Sequence, residues 1–272
     1  MRLLPGSAIL FAVCVALLPM TVCAQDGPSA IRAFDIKTTE KLGLLMAEQA
    51  DEAANADEVL AAQQRNAEQD GIVGWIFDPA PGQSRVRFLR QRDGKVEVAY
   101  DVGGGKGRPT KFSVPTRREL TPREIAQFNA RQLAARNIEK PCSPVYNTLA
   151  VKDPGSDRWL VWALATAPEP GAVAIGGHIR FTISADGTTV ISRDALSLGC
   201  IVITPEPPPP GKKSMAALVT HLVSDAPVET HVFVNLLYDL PLLVEVPGQS
   251  MWQIERGHIR RLDGAVKTHA AR

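Results

Sequence analysis

The chain has 272 residues, and its 30 basic and 29 acidic side chains leave a formal net charge of +1. With 45% hydrophobic and 22% charged residues, it has the composition of an ordinary folded domain, which excludes a chain that is disordered throughout. The nearly neutral charge gives no support for a nucleic acid or an anionic membrane as an obligatory partner.

The first predicted element is a signal peptide at residues 1–24. Arg2 supplies the positive charge, residues 8–18 form an uncharged apolar run, and small residues precede the expected cleavage site after Ala24. The apolar run is too short for a membrane span, which needs about 20 residues. We therefore expect a periplasmic or secreted protein with no transmembrane anchor in the mature chain.

A lipoprotein acylated at Cys23 is the alternative interpretation of this leader. It is disfavoured because Val22 stands where a lipobox has a small residue. Cleavage after Ala24 removes Cys14 and Cys23 and leaves Cys142 and Cys200. Two cysteines in an oxidising compartment usually pair, so the sequence predicts a Cys142–Cys200 disulfide.

The next segment, residues 25–70, is predicted to be an N-terminal helical arm. Residues 39–69 contain no proline and are rich in alanine, glutamate and glutamine, which favour a helix. The apolar stripe of this helix consists largely of alanines, which bury little area. We therefore expect a loosely docked helix, either a solvated arm or, as the less favoured reading, a partner surface.

Residues 71–265 are predicted to form an α+β body, with a possible sub-boundary at the proline-rich connector 205–213 and a tail at 266–272. Asp93-Gly94 and Asp186-Gly187 predict hairpin turns. Period-two patterns predict strands at residues 72–77, 85–92, 95–102, 112–114, 145–151, 159–165, 178–184, 189–193, 228–237, 242–246, 251–255 and 259–262.

One helix of the body is predicted at about residues 122–138. Thr121 can cap it, Pro122 fits its first turn, and Glu124 can reach back to the cap. Its packed face is expected at Ile125, Phe128 and Leu133. The expected fold class is therefore α+β: a curved antiparallel sheet, this packed helix, and the loosely docked helix at about 39–69.

Two resemblances follow from these patterns. A helix followed by long antiparallel strands, over about residues 121–193, resembles small exported modules of the cystatin-like or PepSY type. Residues 173–184 (VAIGGHIRFTIS), followed by Asp186-Gly187, resemble exported proteins of Proteobacteria that have no assigned activity. The second resemblance implies export and transfers no activity.

A third resemblance concerns residues 197–201 (SLGCI), which are similar to the S-H-G-C core of L,D-transpeptidases. In that family a cysteine thiolate attacks a peptide carbonyl and a nearby histidine takes the thiol proton. Leu198 replaces that histidine, and Val202 stands where the family has arginine. The alternative function is therefore a diverged cell-envelope hydrolase or L,D-transpeptidase-like enzyme that uses Cys200 or a histidine group.

That histidine group also supplies the candidate metal ligands. Glu229 and His231 would share one face of the predicted strand, and His178 and His221 are the other candidates. Two or three histidines with a carboxylate suit zinc, but no short zinc-binding spacing occurs. We therefore assign no metal, cofactor or catalytic residue from the sequence.

The leading hypothesis is a non-enzymatic periplasmic binding or interaction protein. It depends on the predicted signal peptide, the predicted disulfide and the lack of an intact catalytic motif. The candidate partners are another envelope protein or a cell-wall component, and no nucleic acid is expected.

Overall fold

The computed structural model describes residues 31–63, 65, 67–79, 84–105, 108–206, 216–248 and 250–262. Three helices and a set of mostly antiparallel sheets make up this part of the chain, which confirms the α+β class. No helix among these residues has the length and apolar character needed to cross a membrane. The predicted signal peptide, most of the proline-rich connector and the tail lie outside the described residues.

The helices are α1 (Ile36–Ala62), α2 (Pro122–Arg136) and α3 (Glu229–Leu237). The first sheet has the strand order β1 (Ile72–Asp78), β2 (Arg85–Arg92), β3 (Lys95–Gly105), β4 (Arg108–Ser113). The second has the order β5 (Tyr146–Lys152), β6 (Trp159–Ala165), β8 (Ile179–Ile183), β9 (Val190–Ala195). The third has the order β11 (Ala217–Thr220), β12 (Leu242–Val246), β13 (Ser250–Glu255), β14 (His258–Leu262). A short ribbon pairs β7 (Val173–Ala174) with β10 (Val202–Ile203), and β11 and β12 form a parallel pair.

The second sheet lies at the centre of the fold because both of its faces are covered. Successive side chains of a strand point to opposite faces, so Trp159 and Trp162 of β6 project in opposite directions. Trp159 packs with Ala130 of α2, whereas Trp162 packs with Met46 of α1 and Val232 of α3. This arrangement places α1 and α3 on one face of the sheet and α2 on the other.

Helix α2 begins as the sequence predicts. Glu124 N donates to Thr121 Oγ1 at 3.3 Å, and Glu124 Oε2 accepts from Thr121 N at 2.8 Å, which completes a capping box. The helix ends at Arg136, two residues before the predicted end. The expected packed face is confirmed in part: Phe128 and Leu133 are partly buried against hydrophobic clusters, whereas Ile125 is 43% exposed. The buried residues are Ala126, Gln127, Ala130, Arg131 and Ala134.

Helix α1 is deeply packed, and the expectation of a loosely docked arm is wrong. Leu42 is 2% exposed and Met46 is fully buried, and both belong to the largest hydrophobic cluster. Gly43 allows α3 to approach closely, because a Cβ at this position would lie 2.4 Å from Val232 Cβ. The small side chains of the stripe thus permit a tight helix crossing instead of a weak contact.

The strand predicted at residues 228–237 is also wrong, because this segment forms α3. The helix is buried from Glu229 to Asn235, polar residues included, so it has no exposed polar face that would reveal the helical period. An α-helix turns about 100° per residue, so Glu229 and His231 point about 200° apart. These two side chains therefore do not share the face that the strand prediction gave them.

The predicted disulfide is present: Cys142 and Cys200 are bonded in the structure. It connects the segment after α2 to the segment after β9. Gly177 lies against it, and a Cβ on Gly177 would stand 2.6 Å from Cys142 Cβ. The bond thus fixes the loop at residues 197–201 beside the start of β8.

Candidate ligand-binding cleft

A cleft of about 480 Å³ lies between α1, the β5–β6 end of the second sheet and the C-terminal end of α3. Apolar side chains line its interior, including Leu149, Leu164 and Phe233. Its size falls within the range of roughly 300–1,000 Å³ that is usual for small-ligand sites. Among the cavities of the described residues, this one combines an apolar interior with a buried charge.

The width of the cleft comes from the alanines of α1. Ala50, Ala53 and Ala54 line the wall that the helix contributes, and Asp57 follows one turn later. Because alanine ends at Cβ, the helix leaves open space there that larger side chains would fill. The alanine stripe seen in the sequence therefore serves both helix packing and the shape of the cleft.

Arg131 of α2 lines the cleft and is 9% exposed. Its Nε donates to Thr148 Oγ1 of β5 at 3.2 Å, and its Nη1 donates to the carbonyl oxygen of Trp75 in β1. The guanidinium also stacks on the Trp75 ring, 3.7 Å from the ring centroid. Arg131 therefore joins the edges of the first and second sheets while it faces the cleft.

The charge of Arg131 has no carboxylate partner within the described part of the chain. Its two hydrogen-bond acceptors, a hydroxyl and a carbonyl, are neutral. Burial lowers the pKa of the guanidinium to about 9, and no nearby acid counteracts this effect. A buried charge normally has an ion-pair partner, since an unpaired one loses its hydration without compensation.

Polar side chains lie at the rim of the cleft, among them Asp57, Asn147, Thr166, Glu169 and Tyr238. Asp57 forms no side-chain hydrogen bond or ion pair with another described residue. Asp57 is exposed at the rim, and partial desolvation raises the pKa of its carboxyl. The rim therefore carries unpaired negative charge near a buried positive one.

His178, a predicted metal-ligand candidate, lines the same cleft but serves the backbone. Its Nδ1 accepts from Ala165 N at 3.1 Å, so the proton resides on Nε2, which donates to Ala174 O at 3.0 Å. Burial lowers the pKa of the imidazole to about 4, so the ring is neutral at pH 7. Both ring nitrogens are occupied, and neither is available to a metal.

The structure brings together His221 and His231, whose ring centroids are 5.0 Å apart. His221 Nε2 bonds to Ser224 Oγ at 2.7 Å, and His231 Nδ1 accepts from Val228 N at 3.2 Å. Burial lowers the pKa of His221 to about 4 and that of His231 well below its usual range. These rings form a neutral pair in the interior.

Glu229, the fourth metal-ligand candidate, is engaged elsewhere. Its Oε1 accepts from Arg180 Nη1 at 2.7 Å and from Trp162 Nε1 at 2.8 Å. In the described part of the chain, no three His, Cys, Asp or Glu side chains are grouped so as to hold a metal ion. The four candidates therefore do not form one site.

The transpeptidase-like segment is a structural loop. The Cys200 sulfur is bonded to Cys142, so it offers no thiolate. Ser197 Oγ accepts from Gly177 N and donates to Gly199 O, both at 2.8 Å. These bonds fold the segment onto the sheet and leave no nucleophile there.

A second cleft of about 480 Å³ lies between the first sheet and the start of α2, and the two β2 arginines that line it are paired. Arg87 is buried and bonds to Asp101 at 2.8 Å and to Glu124 at 2.5 Å, and Arg85 bonds to Asp78 at 2.9 Å. These contacts neutralise the arginines of β2 within the fold. The second cleft is therefore a weaker candidate than the one at Arg131.

Comparisons of the chain with protein-family models, with curated proteins and with solved structures find no match. The structure defines only a fold class: an α+β protein with a cleft of about 480 Å³. A function can therefore be inferred only from the residues that line the cleft and from their chemistry.

Arg131 is the candidate functional residue that sequence reasoning missed. A usable signal was present, because Arg131 lies four residues after Gln127 and next to the line of Ala126, Ala130 and Ala134. Such a line of alanines can be the packed face of a helix, and an arginine beside it is then a buried charge. The choice of Ile125, Phe128 and Leu133 as the packed face concealed this.

Proposed function

We propose that the chain is an exported, non-enzymatic protein that binds a small ligand in the Arg131 cleft. The observation that carries the proposal is a buried guanidinium without a carboxylate partner, set against an apolar cleft of ligand size. Sites for small molecules combine apolar surface with placed polar groups, and this cleft has both kinds of lining.

The geometry of Arg131 supports a binding role over a purely structural one. A buried guanidinium with a purely structural role stabilises a fold best when a carboxylate pairs with it, and an apolar side chain often serves as well. Arg131 has no carboxylate partner among the described residues, yet Thr148 and Trp75 hold it in one orientation. A group that is fixed in advance loses little conformational entropy when a ligand binds.

Binding is tested with the neutral fluorophore N-phenyl-1-naphthylamine, whose emission rises in apolar surroundings. Purified protein should bind it at one site, and Ala54→Phe, which places a ring in the cleft mouth, should reduce the affinity at least about tenfold. The matched control is Ala61→Phe, since Ala61 is exposed on the same helix and does not line the cleft. Equal binding by the two variants, or no binding by the wild-type protein, would contradict the proposal.

Export is the second part of the proposal, supported by the predicted signal peptide and by the disulfide. Intact and peptide-level mass spectrometry of the expressed protein, without reductant, tests it. We expect a chain that begins at Gln25 with Cys142 joined to Cys200. A chain that retains Met1, or a free Cys200 that alkylates rapidly, would contradict this part.

The alternative of a cell-envelope hydrolase or L,D-transpeptidase-like enzyme has no observation in its favour. Its nucleophile, Cys200, is bonded, and the rings of His178, His221 and His231 are held by neighbouring groups. Turnover of a peptidoglycan stem peptide by the purified protein would restore it.

A further inference from the structure

The charges that line the Arg131 cleft lie at two places. Arg131 is buried inside, whereas Asp57 and Glu169 belong to the rim. His178 adds no charge at pH 7, because burial keeps its ring neutral. The lining thus offers one positive group within and two negative groups at the mouth.

The positive end fits a carboxylate. A guanidinium has five N–H donors, and two of those of Arg131 are bonded to Thr148 and to the Trp75 carbonyl. The planar arrangement of the remaining donors matches the two oxygens of a carboxylate. An anion placed there supplies the ion pair that the described residues do not.

The negative rim excludes a ligand that carries only an anion. Such a ligand would bring a third negative charge beside Asp57 and Glu169 and would leave both of them unpaired. A positive group at the rim instead favours the ionised form of Asp57, which partial burial otherwise disfavours. Charge complementarity of this kind selects partners more than it adds affinity.

The space between the two ends is apolar. Leu149, Leu164 and Phe233 line it, together with the alanines of α1. Burial of an apolar group there contributes about 25 cal/mol for each Å² removed from water. The cleft therefore has room for a hydrophobic side chain between an inner carboxylate site and an outer ammonium site.

We infer that the ligand is an apolar zwitterion, either an amino acid or a short peptide with free termini, whose carboxylate binds Arg131 and whose ammonium faces Asp57 and Glu169. This inference rests on the proposed function. Amino acid and peptide present the same two charged groups, and they differ in the distance between them.

The test is calorimetric titration of the mature protein with four probes that share one apolar body. L-Phenylalanine and phenylalanyl-phenylalanine keep both charges, phenylalaninamide lacks the carboxylate, and N-acetyl-phenylalanine lacks the ammonium. We expect one of the zwitterions to bind and each loss of a charge to weaken binding at least about tenfold. Whether the amino acid or the dipeptide binds more tightly identifies the source of the ligand.

Two variants and a control test which protein residue recognises each charge of the ligand. Arg131→Gln should abolish the preference over the amide, and Asp57→Asn should reduce the preference over the N-acetyl probe. The matched control is Glu58→Gln, because Glu58 is exposed, adjacent in sequence and not part of the cleft lining. It should leave all four affinities unchanged.

The outcomes separate this inference from the proposed function. If the neutral fluorophore binds and Ala54→Phe blocks it, but the amide or the N-acetyl probe binds as tightly as the zwitterions, the ligand class is wrong and the cleft remains a binding site. The ligand class is also overturned if neither zwitterion binds. If the fluorophore fails as well, both conclusions fall.

Discussion

Two buried arginines, Arg180 and Arg131, differ in how their charge is compensated. Arg180 is fully buried, and its nitrogens bond to Asp194 at 2.7 Å and to Glu229 at 2.7 Å. Arg131 is nearly as buried, and its acceptors are a hydroxyl and a carbonyl. Within the residues that the structure describes, the fold thus supplies two carboxylates to one arginine and none to the other. Under the proposed function, the fold compensates the charge of Arg180, whereas a bound ligand would compensate that of Arg131.

The surroundings of Arg180 support its structural role. Its Nη2 donates to the carbonyl oxygen of Arg32, and its guanidinium lies 4.8 Å from the Phe34 ring centroid. Arg32 in turn pairs with Asp153 at 2.7 Å. This network ties the segment before α1 to the second sheet and to α3. The charged residues of the network are not among those that line the Arg131 cleft.

Acid should cause the largest loss of stability, because it adds protons, and therefore uncompensated positive charge, to buried neutral histidines. Folding lowers the pKa of His178 and His221 to about 4 and that of His231 well below its usual range. The unfolded chain then binds more protons below about pH 6.5, so the free energy of unfolding falls as the pH drops from 6.5 toward 4. The expected loss is about 2 kcal/mol per histidine at pH 5.

Urea denaturation between pH 7.5 and pH 4.5 measures this loss. Replacement of the exposed His258 by glutamine is the control and should leave the pH dependence unchanged. The pKa of Asp153, which Arg32 and its hydrogen bonds hold at about 2, adds a further loss only below about pH 4. A stability that stays constant down to pH 5 would contradict the buried neutral histidines.

Replacement of Arg180, the arginine with two carboxylate partners, should have the next largest effect on the free energy of unfolding. Arg180→Met leaves Asp194 and Glu229 without their shared partner, and a broken buried ion pair costs about 3–5 kcal/mol. Urea denaturation at pH 7.5 measures it. Arg92→Met is the control, since 67% of the Arg92 side chain is exposed, and it should change stability by less than about 0.5 kcal/mol. A loss below about 1 kcal/mol for Arg180→Met would remove the distinction between the two arginines.

The smallest effect on the free energy of unfolding is expected for replacement of Arg131. Arg131→Met removes a buried charge and leaves no carboxylate behind, so stability should change by less than about 1 kcal/mol or increase. Ligand binding should be lost in the same variant, as titration with the zwitterionic probes would measure. A destabilisation as large as that of Arg180→Met would show that Arg131 serves the fold instead.

The features that the sequence predicted correctly depend on short-range chemistry. The capping box at Thr121 and Glu124 satisfies the first turn of α2 by itself. The Asp93-Gly94 turn has φ values of 50° and 74°, which these two residues adopt more readily than most. Pairing of Cys142 with Cys200 needed only the count of cysteines and the expected compartment.

The features that were missed depend on which elements meet. The burial of Met46 follows from the approach of α3, which no pattern within α1 reveals. The strand prediction at residues 228–237 fails because tertiary contacts bury even the polar side chains of this helix, so no exposed polar face marks its period. Arg131 is distinctive because no carboxylate of the described residues pairs with it, and that is a property of the assembled fold.

The crossing at Gly43 has a consequence for the order of folding. Its partner, Val232, is near the other end of the described chain, and ribosomes make the N-terminal end first. Helix α1 must therefore wait, with the apolar side chains of Leu42 and Met46 uncovered, until nearly the whole chain exists. Contacts between distant segments form slowly, and exposed apolar surface favours aggregation in the meantime. The crossing of α1 and α3 is thus a late contact of the fold, and the apolar face of α1 needs protection until it forms.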